Sequence, residues 1–344
     1  MENAYYDGTK ILSLQDINGK KPELYLISTN RSGGKTTYFG RLLVNRFLKQ
    51  GKKFMILYRT KYEIEDAAEK FFKEIGNLFF SNCGMTQKVH KPIYTELFIN
   101  DVPCGYAAAL NAADQIKKYS HLFSDTDCIL FDEFQPETNI YVPNELTKFM
   151  SIHTSVARGG GKQYRYVPVY MISNPITLIN PYYVALGISN RLTKQTHFLR
   201  GNGFVVEQGY IDAAKRAQEE SGFNKAFSSD SYMSYQKDGV YLLDDMVFIE
   251  KPEGRQRYYV TIKYHDSYYG IREYPDLGLY YVDNKPDMSF PVKLAVTTKD
   301  MDINYICLRN NKATFDHLRY FFHLGCFRFK DLKCKEALFT SLSY

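Results

Sequence analysis

The chain has 344 residues, 44% hydrophobic and 24% charged, a balance that excludes a disordered or fibrous protein and supplies cores for about two domains. Its formal charge is +6, and residues 231–344 hold 16 Lys and Arg against 15 Asp and Glu, so +5 lies in residues 1–230, a mild bias toward a polyanionic partner. Six Cys without a CxxC pair or zinc spacing, no apolar run near the ~18 residues of a membrane span, and no signal-peptide pattern give the expectation of a soluble, cytosolic protein with no membrane partner.

Residues 1–22 are polar and read as an arm or short hairpin. The apolar run Leu24-Tyr25-Leu26-Ile27 predicts a strand over 23–28, and a helix is expected over 35–50. Between them stands Thr29-Asn30-Arg31-Ser32-Gly33-Gly34-Lys35-Thr36-Thr37. Strand, small polar loop, Gly-Lys-Thr and helix form the layout of a phosphate-binding loop. Backbone N–H groups at the helix start make an anion hole. Lys35 is placed to reach the β- and γ-phosphates of ATP, and the Thr36 hydroxyl to ligate Mg²⁺. The pattern usually opens with Gly; here that position is Thr29.

Lys53-Phe54-Met55-Ile56-Leu57-Tyr58 predicts a buried strand, followed by the basic turn Arg59-Thr60-Lys61 and a helix over 62–75. Leu78-Phe79-Phe80, Lys88-Val89-His90 and Thr95–Ile99 read as short extended segments, with a hairpin turn at Asn100-Asp101 and a helical patch over 107–118. Then comes Cys128-Ile129-Leu130-Phe131-Asp132-Glu133. An apolar strand ending in two acids is the second half of an ATPase signature, with the acids at the strand tip where open parallel sheets bind ligands. Asp132 is the candidate metal ligand and Glu133 the candidate base for the attacking water.

A helix is expected over 144–156, ending at Arg158 and the glycine run 159–161. An Arg there is either a surface residue near a helix end or a finger for a neighbour's γ-phosphate. The strand 166–174 ends in Asn174, a candidate γ-phosphate contact or a turn before Pro175. Strands continue through 196–206, and a charged amphipathic helix is expected over 211–227. Ser228-Ser229-Asp230-Ser231 marks the domain junction. Beyond it, 241–250, 257–264, 267–273 and 279–283 alternate as an antiparallel meander, followed by a helix carrying Phe315, Leu318, Phe321 and Phe322 and a basic segment with Arg328, Lys330, Lys333 and Lys335.

Arg31-x-Gly33-Gly34-Lys35-Thr36, Phe131-Asp132-Glu133-Phe134, Tyr141-Val142-Pro143-Asn144-Glu145, Ser173-Asn174 and Asn180-Pro181-Tyr182 together resemble the DNA-packaging ATPases (encapsidation proteins) of small phi-29-like podophages. The resemblance covers most of the chain. It implies an α/β protein: an ASCE-type P-loop NTPase domain with a mainly parallel sheet at 1–207, a helical linker at 208–230, and an RNase H-like domain at 231–344. It implies a homomeric ring, a pentamer, that acts in the host cytoplasm at the procapsid portal vertex, is absent from the mature virion, and drives double-stranded DNA inward with ATP and Mg²⁺. Portal and packaging RNA are the implied partners, and the family's trans-acting arginine falls on Arg158. Arg59 and Lys61 are the DNA-binding candidates, either as pore-facing contacts to phosphate or as a solvated basic turn. The meander strand 258–263 carries Lys263 and no acid, while Asp266, Asp276 and Asp283 fall in turns or at strand ends, so a nuclease-like fold without nuclease activity is expected. The competing readings are a terminase-type motor with a working nuclease and a DNA- or portal-binding module with a dead nucleotide site.

Overall fold

The computed structural model describes residues 5–90, 93–158, 163–189, 191–192, 196–209, 211–226 and 247–342. They divide into two compact units, one of residues 1–176 and 194–242, the other of 177–193 and 243–344.

The first unit is built on a nine-stranded sheet. Its strands are β1 (Leu24–Thr29), β2 (Lys53–Tyr58), β3 (Met85–His90), β4 (Tyr94–Ile99), β5 (Val102–Ala109), β6 (Thr126–Asp132), β7 (Val169–Ser173), β8 (Phe198–Arg200) and β9 (Phe204–Gly209), in the spatial order β3-β4-β5-β2-β6-β7-β1-β9-β8. The six from β5 to β9 are mutually parallel. Antiparallel β4 and β8 flank them, and β3 pairs antiparallel with β4. Buried on both faces, β1 and β2 read as continuous apolar runs rather than alternating ones. The helices Lys35–Gln50 and Tyr62–Phe79 cover one face with Phe39, Leu43, Val44, Phe71 and Ile75. β7 lies between β1 and β6, and its register sets Ser173 beside Ser28 and Ile172 beside Asp132. The ends of the loop strand, the acidic strand and the Asn174 strand therefore form one edge.

Several local expectations change. Leu78 and Phe79 end the helix Tyr62–Phe79 rather than forming a strand. The predicted helix over 107–118 begins as β5, passes through a 3₁₀ turn at Leu110–Ala112, and is α-helical only over Ala113–Lys118. The predicted hairpin turn is present, with Asn100 and Asp101 at φ 50° and 63°. The expected helix over 211–227 is two pieces, Asp212–Glu220 and Gly222–Ala226, and both belong to the first unit. The glycines of the run after Arg158, the junction residues 228–231 and most of the expected strand 241–250 lie outside the described residues.

The second unit carries a six-stranded sheet: β10 (Arg257–Tyr264), β11 (Ser267–Tyr274), β12 (Leu279–Asp283), β13 (Lys293–Ala295), β14 (Ile306–Cys307) and β15 (Phe327–Phe329), ordered β14-β13-β10-β11-β12-β15. β10, β11 and β12 form the antiparallel meander, and β13 and β14 add in parallel beyond β10. This is the RNase H-like layout. The core holds Val260, Ile262, Ile271, Val282, Leu318, Phe329 and Leu338.

The two units divide at other places than the expected 207 and 231: the first takes in residues up to 242, and 177–193 groups with the second. Its helix Pro181–Ala185 is capped by Asn180, whose side chain accepts from the backbone of Tyr182 and Tyr183, with Pro181 in the first turn. That capping is the physical content of the Asn-Pro-Tyr block. Ser189 donates to Glu336 at 2.9 Å, and Lys335, buried within the supposed basic tail, donates to Thr177 at 3.4 Å.

Candidate active site

The phosphate loop takes its shape from consecutive strained and unstrained residues. Ser32 sits at φ 63° and Gly34, capping the helix Lys35–Gln50, at φ 84°; the second is a conformation glycine adopts at no steric cost. Thr29 fits in place of the usual glycine because it pairs with Gly209 of β9, where a Cβ would come within 2.7 Å of the Thr29 methyl. The small residue has moved to the neighbouring strand. Thr29 Oγ1 and its carbonyl each accept from Lys35 Nζ at 3.0 Å.

Lys35 is buried, and its ammonium also reaches the Asn30 carbonyl at 3.3 Å and Asn174 Oδ1 at 3.2 Å. Burial pushes its pKa down to about 8, against the opposing pull of Asp132 and Glu133. Thr36 Oγ1 donates to Asp132 Oδ2 at 3.1 Å. Burial, and then the adjacent Glu133 charge, raise the Asp132 carboxyl to about 6. Glu133 is also raised, by burial first and then by Glu137 and Glu63. A hydroxyl and a carboxylate in contact, beside a second carboxylate whose charge disfavours ionisation, are hard oxygen donors that fit Mg²⁺. Arg31, Ser32, Gly33, Lys35, Thr36, Thr37, Asp132, Glu133 and Asn174 line one 820 Å³ cavity. The structure thus gathers the loop, both acids and Asn174. The Asn30 side chain instead clamps the loop to the chain after β9, accepting from Ile211 N at 2.9 Å and donating to its carbonyl at 3.2 Å.

The DNA-binding expectation for Arg59 is overturned. Arg59 is buried, its guanidinium forked onto Glu145 at 3.0 and 3.1 Å. It also donates to the carbonyls of Glu133 at 3.0 Å and Phe134 at 2.9 Å. Glu133 stands at φ 54°, a costly conformation for a non-glycine residue, and Arg59 braces the backbone at its carbonyl and the next one. The Tyr-x-Pro-Asn-Glu block supplies that brace: Glu145 holds Arg59, Val142 N donates to Glu145 at 3.0 Å, and the Tyr141 ring lies 5.4 Å from the guanidinium. Replacing Arg59 by Ala is expected to cost about 3–5 kcal/mol, because Glu145 is left buried without its partner. Arg59→Lys keeps the charge but loses the fork, so turnover should fall with ATP affinity kept. Thermal unfolding beside DNA titration checks this; lost DNA affinity at full stability would return Arg59 to the DNA surface.

Lys61, by contrast, is half-buried at the start of the helix Tyr62–Phe79. Arg158 is exposed at the end of the helix Glu145–Ala157.

Two further groups have no signature in the sequence. Gln135 joins the three strand ends, donating to Ser28 Oγ at 3.2 Å and accepting from Ile176 N at 3.3 Å. The N-terminal arm reaches the loop itself: Tyr6 N donates to the Gly33 carbonyl at 2.7 Å, and its hydroxyl donates to buried Glu207 at 2.5 Å. Burial raises the Glu207 carboxyl above its ordinary range. Tyr6→Phe should therefore destabilise the fold by about 1–3 kcal/mol at pH 7, where a buried carboxylate loses its donor. The loss should shrink as pH falls through the raised pKa and Glu207 takes up a proton. Urea unfolding from pH 7 down through the acid range reads the difference; a loss that stays the same at every pH would remove Glu207 from the account.

In the second unit, Asp283 is buried and accepts from Arg272 at 2.5 Å and Lys285 N at 3.0 Å. Asp266 lies in the β10–β11 turn, and Lys263 of β10 points to Asp302 at 3.9 Å. Among the described residues no three Asp, Glu, His or Cys groups converge as a metal site, and no helix is long and apolar enough to cross a membrane.

Comparison with known proteins finds relatives along nearly the whole chain. The chain is 23% identical over 320 residues to the DNA packaging protein of Bacillus phage phi29, covering 92% of this chain and 90% of the relative. Its fold is similar to that of a chain in the bacteriophage Phi-29 viral genome packaging motor assembly (TM-score 0.60, 22% identity, 99% and 100% covered). It is also similar to the Phi-28 gp11 DNA packaging motor (TM-score 0.63, 17% identity, 100% and 99% covered). The model of the podovirus DNA encapsidation protein (Gp16) family matches residues 1–342, and the chain belongs to that family.

Proposed function

We propose that the chain is the ATP-hydrolysing subunit of a motor that moves double-stranded viral DNA into a preformed procapsid. The observation that carries this reading is the meeting of Lys35, Thr36, Asp132, Glu133 and Asn174 at the ends of three adjacent parallel strands. Lys35 and the loop N–H groups hold the β- and γ-phosphates. Thr36 and Asp132 are the residues that would hold Mg²⁺, which when bound neutralises charge on the transferring phosphoryl group. Glu133 takes the proton of the attacking water, and Asn174, already bonded to Lys35, meets the γ-phosphate.

The likeness to a chain of a viral genome packaging motor assembly supports an oligomeric motor, and from the family resemblance we extend the proposal to a homomeric ring of five on the portal, with packaging RNA, working in the host cytoplasm at the procapsid vertex and absent from the mature virion. Arg158 serves the neighbouring subunit's site. The second unit has a nuclease-like fold whose Asp283 is neutralised by Arg272, and it serves binding rather than cutting.

ATP hydrolysis by the purified chain, with and without double-stranded DNA, tests the reading. DNA should stimulate turnover. Lys61→Ala should weaken that stimulation at every DNA sequence and lower the salt slope of DNA binding by about one. No turnover by the chain alone and none by the procapsid-bound assembly with DNA would end the motor reading, and unchanged stimulation would take Lys61 off the DNA path.

A further inference from the structure

The phosphate loop settles where a triphosphate lies but not where its base lies. Strand order separates the two ends. The acids come from β6 and Asn174 follows β7, both on one side of β1; on the other side stands β9. A γ-phosphate directed at Asp132 and Glu133 leaves the nucleoside on the β9 side.

A second cavity opens there. It measures 450 Å³ and is lined by Tyr5, Ser32, Ala213, Ala214, Ala217, Ser221 and Asn224. Tyr5 and Ser32 also line the phosphate cavity, so the two share walls. Tyr5 is 72% exposed, yet its backbone neighbour is fixed twice, by Tyr6 N on Gly33 and Tyr6 Oη on Glu207. A large aromatic ring kept mostly in solvent on an anchored backbone gains little from packing, whereas nucleobases stack on such rings. The alanines opposite leave room for a flat ring system, and the Asn224 amide carries the adjacent donor and acceptor that match an adenine edge.

We propose that this cavity is the nucleobase subsite, with Tyr5 stacking on adenine and Asn224 reading its edge. The proposal rests on the ATP reading above. The competing shelf is the Phe79 ring, on the helix Tyr62–Phe79 that follows β2, with Arg41 of the loop's own helix 4.8 Å over it; both line the phosphate cavity, and β2 stands on the acids' side of β1.

Calorimetric titration of the full chain with ATP, GTP and inorganic tripolyphosphate, each with Mg²⁺, tests it. Tyr5→Ala should weaken ATP binding roughly tenfold and leave tripolyphosphate unchanged, and Tyr5→Phe should restore it. Ala217→Leu should cause the same selective loss by filling the slot, and Asn224→Leu should erase a preference for ATP over GTP. The subsite is overturned, with the ATP reading intact, if Tyr5→Ala leaves ATP binding unchanged or weakens both ligands equally. It is likewise overturned if Phe79→Ala gives the selective loss instead. A wild-type chain that binds none of the three ligands overturns the ATP reading and the subsite together.

Discussion

Replacing Glu133 by Gln is expected to leave ATP binding intact and lower turnover about 10²–10⁴-fold, the usual worth of a positioned general base. The amide keeps the shape of the carboxylate and cannot accept a proton. The backbone geometry should persist, because Arg59 grips the carbonyls of residues 133 and 134 and not the Glu133 side chain. Burial and the acids Glu137 and Glu63 make Glu133 a stronger base than an ordinary carboxylate. The same substitution removes the charge that, after burial, does most to keep Asp132 up at about 6. Asp132 should then ionise more readily, so Mg²⁺-ATP affinity should hold or tighten. Equilibrium binding beside single-turnover hydrolysis separates the two effects. Turnover within about threefold of wild type would assign the base elsewhere, and lost binding would make Glu133 structural.

The grouping of the candidate site residues was legible because its signals are local. An apolar run before Gly-Lys-Thr and another before Asp-Glu each encode a strand and its tip within ten residues. Arg59 was not legible: its basic side chain suggested DNA, and only the fold brings Glu145, 86 residues away, into its fork. Thr29 looked like a defect in the loop because Gly209, which makes room for it, is 180 positions on. The arm that carries Tyr5 and Tyr6 is polar and short, and nothing in it announces contact with Gly33. Leu78-Phe79-Phe80 illustrates a different limit, since a three-residue apolar run fits either a strand or the last turn of a helix. Ala107–Ala109 reads as helical by composition, yet in the sheet Ala107 pairs with Ile56 and Ala109 with Tyr58; tertiary packing overrode propensity. The second unit's claim on 177–193 depends on contacts with a helix about 150 residues further along the chain.

Doping a ring with Arg158→Ala subunits is expected to suppress hydrolysis more steeply than the mutant mole fraction, and the pure variant should lose about 10³–10⁵-fold. The reason lies in the helix Glu145–Ala157. Its first residue holds Arg59 beside Glu133, while Arg158 follows its last. Thirteen residues of helix separate these ends, a span of about 20 Å. Arg158 is therefore remote from its own subunit's acids and exposed where a neighbour could receive it. In a strictly coordinated ring of five, half-mutant mixtures leave only about 3% of rings fully wild type, against the roughly 50% activity expected of independent sites. The measurement belongs on the procapsid-bound assembly, where neighbours are in place, with Arg158→Lys as the control for charge without the planar fork. A linear fall to half activity would mean that Arg158 acts within one subunit or not at all, and the helix end would then be a surface feature rather than the link between sites.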